Sequence, residues 1–553
     1  MSTVVLGRQP ASTLGDTPTM KSSVPSTPSS PRPERGRART VLALLASVTM
    51  LLTSACAVAN SDTAGDAGSA DGRTLRVVLT QEPPTLEPCE SSLTATGVVV
   101  RSNITEPLVE RDPTSGGLQP LLATGWRQTE PRTWTFDIRS GVNFQNGRPF
   151  TAKDAAFSID RAVNSDLACN VEGYVFGDEK LDVRAVSPTR LTVTTEKTDP
   201  ILPLRLSFVE IVPHTTSTEA KVRIPVGTGP YAVKAWQTGV SISLARNDDY
   251  WGKAPAYPRA RYVWRSDASV RAAMIDKGEA DIATALDHIS ADQGNTVAYP
   301  NNETTALRLD GREAPLNDIR VRKAIGLAVD REGIIEALLG GLAKPAAQLV
   351  PPGVVGHNDG LAPAPYKVAA ARALVKQAAA DGVPVHRRIT LVARNGMFAG
   401  IAEVAEALQY EMAKVGLNVR IRMADTATHL QYQLRPLPRG VGPIALLIMH
   451  GNQAGDAAFT TSQYLQSDGP QSTFGTKELD RRIAAADALS GKARQKAFAE
   501  VLSYQNKTVV QYAYLAHMRG LLGLSPKVRY RPDSATGDEM RLAEVSPATA
   551  RGH

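Results

Sequence analysis

The run Val41-Leu-Ala-Leu-Leu-Ala-Ser-Val-Thr-Met-Leu-Leu52 decides how much of this chain is available to fold. Upstream lie Arg32, Arg35, Arg37 and Arg39 with Glu34 alone against them, and downstream Thr53, Ser54 and Ala55 precede Cys56. A basic flank, a short apolar core and small residues before a cut are the three parts of a secretory signal. At about a dozen residues the core is shorter than the roughly 20 that a permanent transmembrane helix needs. Residues 1–55 therefore read as a disordered, Ser/Thr/Pro-rich leader with a signal peptide, Met20 being an alternative start.

Cys56, at the cut itself, resembles the cysteine of a bacterial lipobox, although Thr53 stands where that motif usually has Leu. Lipidation there would anchor the mature protein to the outer face of the membrane, since two acyl chains hold stably where one is marginal. The alternative is an ordinary cleaved signal with an incidental cysteine. The small, acidic stretch 56–73 suits a flexible tether.

Charge follows the same division. The chain carries +7, but residues 1–55 hold six basic side chains against two acidic ones, so the mature part keeps only +3. It has no dense Lys/Arg block with interleaved aromatics, which argues against a nucleic-acid partner. Cys89 and Cys169 are the remaining cysteines. Export favours a disulfide between them, and two buried thiols are the alternative.

About 480 residues follow the tether, too many for one core, so two or more lobes are expected. Thr74–Thr80 and Thr133–Arg139 read as strands, Val142–Phe144 as a short third between turns at Gly141 and Asn146-Gly147. Thr151 caps a helix with Asp154 three residues on. Asn317–Asp330 predicts a helix with Ile319, Lys323, Ala324 and Leu327 on one stripe. Ile401–Val415 predicts another, closed by Gly416 and leading into the strand Leu417–Ile421. Helix and strand in alternation give the α/β class.

Motifs in order along the mature chain carry a resemblance. They are Pro84-Thr-Leu-Glu-Pro88, Thr105-Glu-Pro-Leu108, Leu118–Trp126, Trp134–Arg161, Val226-Gly-Thr-Gly-Pro-Tyr231, Arg246-Asn-Asp-Asp-Tyr-Trp-Gly252, Gly278-Glu-Ala-Asp-Ile282 and Asn317–Arg331. Together they resemble family 5 extracytoplasmic solute-binding proteins of ABC transporters, the dipeptide- and oligopeptide-binding type. The resemblance implies a two-lobed, periplasmic-binding-protein-like clamp of type II with two hinge crossings. Lobe I would take 74–102, 223–306 and 518–550, with an inserted subdomain at 103–222, and lobe II would take 307–517. The crossings are expected near Leu307–Gly311 and Tyr512–His517. It further implies a monomer that closes over a peptide or other small solute and hands it to permease and ATPase subunits. Closure is favoured because ligand touches both lobes only in that state.

Other signals stay structural. Gly227-Thr-Gly229 is followed by Pro230, which has no N–H for an anion, so a tight turn packed under Tyr231 is expected. The eight histidines, His450 and His517 among them, show no zinc spacing. GxSxG and SxxK are absent, so no enzyme activity, metal or cofactor is expected.

Specificity is expected in Met449-His-Gly-Asn-Gln-Ala-Gly-Asp456. In peptide-binding members this loop reads roughly G-W-x-x-D-Y-x-D-P, and its aspartate pairs with the ligand ammonium. The resemblance makes Asp456 that acceptor, and a loop-capping aspartate is the alternative. Asn452 replaces the Trp and Ala457-Ala458 replace Asp-Pro, which keeps a nickel chelate, haem, an opine, an oligosaccharide or a transport-free signalling role as alternatives. Tyr512 and Tyr514 share one strand face, either stacking on ligand or lying in the core. Arg394, beside Asn395 and Gly396, is a further candidate on lobe II.

Overall fold

Two long antiparallel strands, Thr296–Leu309 and Tyr512–Leu524, run side by side through the middle of an 11-stranded mixed sheet. The computed structural model describes residues 74–92, 94–289, 294–535 and 539–548. The signal, Cys56 and the tether lie outside them. On one side of the long pair the sheet continues through Ile282–Ala283, Thr74–Leu79, Arg259–Trp264, Ser241–Arg246 and Tyr231–Gln237. On the other it continues through Ile444–Gly451, Ile389–Arg394 and Val419–Ala424. These two wings are the centres of two α/β lobes.

Strand alternation builds the core of lobe II on both sheet faces. Leu307, Leu309, Leu391, Ala445, Leu447, Ala513 and Leu515 pack on one face against the helices Ile319–Ala328 and Ile401–Lys414. Ala306, Val392, Leu446, Ile448, Tyr512 and Tyr514 pack on the other against Lys477–Asp487 and Gly491–Tyr504. Burying each such large side chain contributes about 1.5–3 kcal/mol. Gly416, at φ +92°, ends the Ile401–Lys414 helix as its position in the sequence requires. Among the described residues no helix is long and apolar enough to cross a membrane.

Three local expectations need correction. In the helix Ile319–Ala328 the buried set is Val321, Ala324, Ile325 and Ala328, with Lys323 exposed. Arg322 is buried because its guanidinium donates to the carbonyls of Leu316, Val509 and Val510, which rotates the inner face by one position. Val142–Phe144 forms one isolated bridge, Asn143 to Pro149, instead of a strand. The first lobe change also comes earlier than Leu307–Gly311. Thr296–Pro300 pair with Arg519–Gly523 in lobe I, and after a register shift Thr304–Arg308 pair with Tyr512–His517 in lobe II. Asn301-Asn302-Glu303 interrupts the apolar pattern there. Asn302 sits at φ +59° and its amide donates to Ala535 O, whereas Leu307 and Leu309 are core.

A separate four-stranded sheet, Ala123–Glu130, Thr133–Ile138, Arg190–Thr194 and Asp182–Ser187 in pairing order, supports a subdomain core with Phe136, Ile159 and Phe208. Thr151 and Asp154 form a reciprocal capping box on the helix Ala152–Ile159, and Asp154 also accepts from the backbone and ring of His214. Cys89 and Cys169 form a disulfide in this region, with Cα atoms 5.4 Å apart.

The sequence motifs meet one another here. Glu106 accepts from Thr228 Oγ1 at 2.7 Å, Tyr250 Oη at 2.7 Å and Trp251 Nε1 at 2.9 Å, which ties three motifs to one buried carboxyl. Glu87 takes both terminal nitrogens of Arg161, at 2.7 and 3.0 Å, joining the first motif to the fourth. Gly227 and Gly229 lie so close to Asn103–Thr105 that a Cβ at Gly227 would stand 2.2 Å from Ile104 O.

Candidate functional site

Three cavities share walls along the groove between the lobes. The largest, about 1180 Å³, lies between the subdomain, at Asp199 and Arg205, and lobe II, at Leu430, Phe459 and Arg494. A second, about 310 Å³, shares Phe459 and Gln463 with it and reaches Ser92, Phe208, His450 and Tyr464. A third, about 290 Å³, shares Thr94, Glu303 and Gln453 with the second and enters lobe I past Tyr299 and Tyr530. The two smaller cavities sit at the lobe change itself.

The loop that ends the strand Ile444–Gly451 borders the two smaller ones. Asn452 is 4% exposed; its amide donates to Asn302 O and Leu349 O, and its oxygen accepts from Thr460 Oγ1. His450 Nε2 meets the same Thr460 hydroxyl at 2.8 Å, and its ring lies 4.3 Å from that of Tyr464. Asp456 is 3% exposed and does not present a free carboxylate. Arg494 Nε and Nη2 each donate to one of its oxygens at 2.8 Å, and Oδ1 also caps the helix Ala457–Thr460 through Ala458 N. The Asn452–Asp456 segment is thus a buried scaffold. Gln453, between them, is the member of the loop that lines the two smaller cavities.

Tyr512 and Tyr514 stack on each other at 5.9 Å inside the lobe II core. Tyr512 Oη donates to Tyr464 O and Tyr514 Oη to Gln505 Oε1. Arg394 ends its strand half-buried, lines neither of the smaller cavities, and favours ionisation of Glu303 through its charge. Glu303, Gln453, Phe208 and Tyr464 are wall residues that sequence reading did not single out. The polar break Asn301-Asn302-Glu303 inside an apolar strand is the signal that could have found the first.

Across the groove Arg111, from the subdomain strand Val109–Arg111, donates Nη1 to Gln453 O at 2.6 Å. Gly455 sits at φ +75°, and a Cβ there would stand 2.3 Å from Arg111 Cζ. Gly455→Ala is therefore expected to push Arg111 off this contact and to weaken solute affinity about tenfold, near 1.4 kcal/mol. Equal affinities by calorimetry would show that the contact is not part of the closed state.

Burial sets the titration of several groups. Loss of water pushes the carboxyls of Glu106, Glu210 and Glu303 up to about 7. It holds the imidazoles of His450 and His517 down, to about 3 and about 4. A raised carboxyl contributes stability that is full below the ordinary carboxyl range and is lost as pH rises through about 7. A depressed histidine acts oppositely, with stability growing until the unfolded value near 6.5 is passed. The two sets oppose each other at about pH 5 to 6.5, and above that only the glutamates act. Denaturant unfolding is expected to lose about 1–2 kcal/mol between pH 6.5 and 8. A flat or rising profile in that window would contradict these assignments.

A sheet that passes through two lobes on two strands, with cavities at the lobe change, defines a two-lobed solute-binding fold. The profile of the bacterial extracellular solute-binding proteins, family 5 (middle), matches residues 117–471, and the chain belongs to that family. It is 28% identical over 376 residues to the nickel-binding periplasmic protein of Escherichia coli K12, covering 62% of this chain and 70% of the relative. It is also 28% identical over 355 residues to the dipeptide-binding protein of the same organism, covering 56% of this chain and 64% of that relative. The fold matches the crystal structure of the ABC transporter substrate-binding protein CtaP from Listeria monocytogenes at a TM-score of 0.75 and 20% identity, over 86% of this chain and 99% of that one. Family and relatives are binding proteins.

Proposed function

We propose that the protein is an extracytoplasmic receptor that captures a small solute, an oligopeptide above all, for an ABC importer. The observation that carries this reading is the run of cavities at the lobe change. A solute there would touch both wings, and closing of the lobes would be favoured in proportion to those shared contacts. Permease and ATPase subunits would be its partners. The signal and Cys56 support export and lipid anchoring, with Ala57–Arg73 as the tether.

A peptide suits walls that mix aromatic faces with amide and hydroxyl groups, because backbone hydrogen bonds hold it without reading each side chain. The dipeptide-binding relative favours this, and the nickel-binding relative keeps a chelate as the second reading. Native mass spectrometry of the protein purified undenatured from its host tests both. A peptide mass excess is expected; a chelate would overturn the peptide assignment and leave the receptor. Replacement of Cys56 by Ala is expected to move the protein from membrane to soluble fractions, and an unchanged distribution would overturn the anchor.

A further inference from the structure

Among the described residues Glu303 is the one side chain that places a carboxylate on both smaller cavities at once. It lies on the strand joining the lobes, one residue beyond the kink at Asn302. Its backbone is fixed by ladder pairing with Gly451, so the carboxylate is carried on a rigid element. Oε2 accepts from Asn301 Nδ2 at 2.6 Å; among the described residues no donor reaches Oε1 and no cation lies within ion-pair distance.

The other acids nearby are already matched. Asp456 is held by Arg494, and Glu539 at the far end of the third cavity pairs with Arg101 and Arg541. Asp533, on the same wall, faces Arg541 Nε at 3.9 Å. No lysine or arginine lines either small cavity among the described residues, whereas Phe208, Tyr299, Tyr464 and Tyr530 do. A carboxylate that shares cavity walls with aromatic rings and has no guanidinium within ion-pair distance is suited to receive a cation, by charge-assisted hydrogen bonding and by the negative ring faces.

We propose that Glu303 seats a protonated amine of the bound solute, taking the part that Asp456 would play if Arg494 did not occupy it. The inference rests on the solute-receptor reading and deepens it by naming the ligand's charge and its partner. The groups facing Glu303 fit such a role. Asn301 orients one oxygen, Gln453 and Thr94 offer neutral hydrogen-bonding groups, and the neighbouring imidazole of His450 is held uncharged by burial. Arg394 acts on the carboxylate only through its charge. With its carboxyl raised to about 7, Glu303 is part-protonated in the empty cleft at neutral pH. An arriving ammonium favours the ionised form, so binding at pH 7 is expected to release about half a proton.

Isothermal titration calorimetry of the full chain at pH 7, in phosphate and in HEPES, tests this with tetra-alanine, N-acetyl-tetra-alanine and spermidine. Tetra-alanine is expected to bind with a buffer-dependent heat that reports proton release. N-acetylation and Glu303→Gln are each expected to weaken it at least tenfold, and the variant is expected to lose the buffer dependence while its unfolding midpoint does not fall, since removing a carboxyl raised by burial relieves a cost at pH 7. Equal tetra-alanine affinity in wild type and Glu303→Gln would overturn Glu303 and leave the peptide reading standing. Spermidine binding that Glu303→Gln abolishes, without tetra-alanine binding, would uphold Glu303 and overturn the peptide reading. Failure of both amines to bind the wild type would overturn the inference.

Discussion

Arg494→Ala is expected to destabilise the protein by about 3–5 kcal/mol, because it leaves the Asp456 carboxylate buried without a counter-charge. The pair is bidentate, both partners are almost fully enclosed, and Arg494 Nη1 also donates to Asp487 O at 2.8 Å. Asp456→Ala is expected to cost a similar amount and to lose the cap on the helix Ala457–Thr460 as well. Replacing both by leucine is expected to recover part of the loss, since removing a buried pair is far milder than breaking one. Urea unfolding of the ligand-free protein is the measurement. It also separates two roles for Asp456. A scaffold aspartate changes stability without ligand, whereas a ligand-binding aspartate changes solute affinity and leaves the free protein as stable as before.

Glu106→Ala is the second large effect, expected at about 3 kcal/mol or more. Thr228, Tyr250 and Trp251 would lose their acceptor at once, and each buried donor left unmatched costs about 1–3 kcal/mol. The loss should be cooperative, because these donors come from segments more than 100 residues away from Glu106 that converge on this carboxyl. Glu106→Gln keeps one acceptor oxygen and is expected to cost less. A Glu106→Ala protein with wild-type unfolding free energy would show that water replaces the carboxyl fully.

These two sites explain why family membership was legible in the sequence while the binding chemistry was not. Glu87, Glu106, Thr151, Asp154, Arg161, Thr228, Tyr250 and Trp251 all belong to the motifs, and the structure uses them to pair with one another. They are fixed by the fold's own hydrogen-bonding needs, since a buried polar group without a partner is costly. The cleft walls carry no such obligation. Glu303 and Gln453 line the cavities and lie outside these motif-to-motif pairings.

The sequence by itself determined the α/β class and the family. It also determined local elements such as the Thr151–Asp154 cap and the helix closed by Gly416. Each of these depends on residues close together in the chain or on motifs read in order. Tertiary structure alone decided that Asp456 faces Arg494, that Tyr512 and Tyr514 belong to the core, and that the lobe change falls at Asn301–Glu303. In each case a partner distant in sequence sets the outcome. A carboxylate, an aromatic ring and a strand residue take their roles from what lies across the fold, and no spacing along the chain records that neighbour.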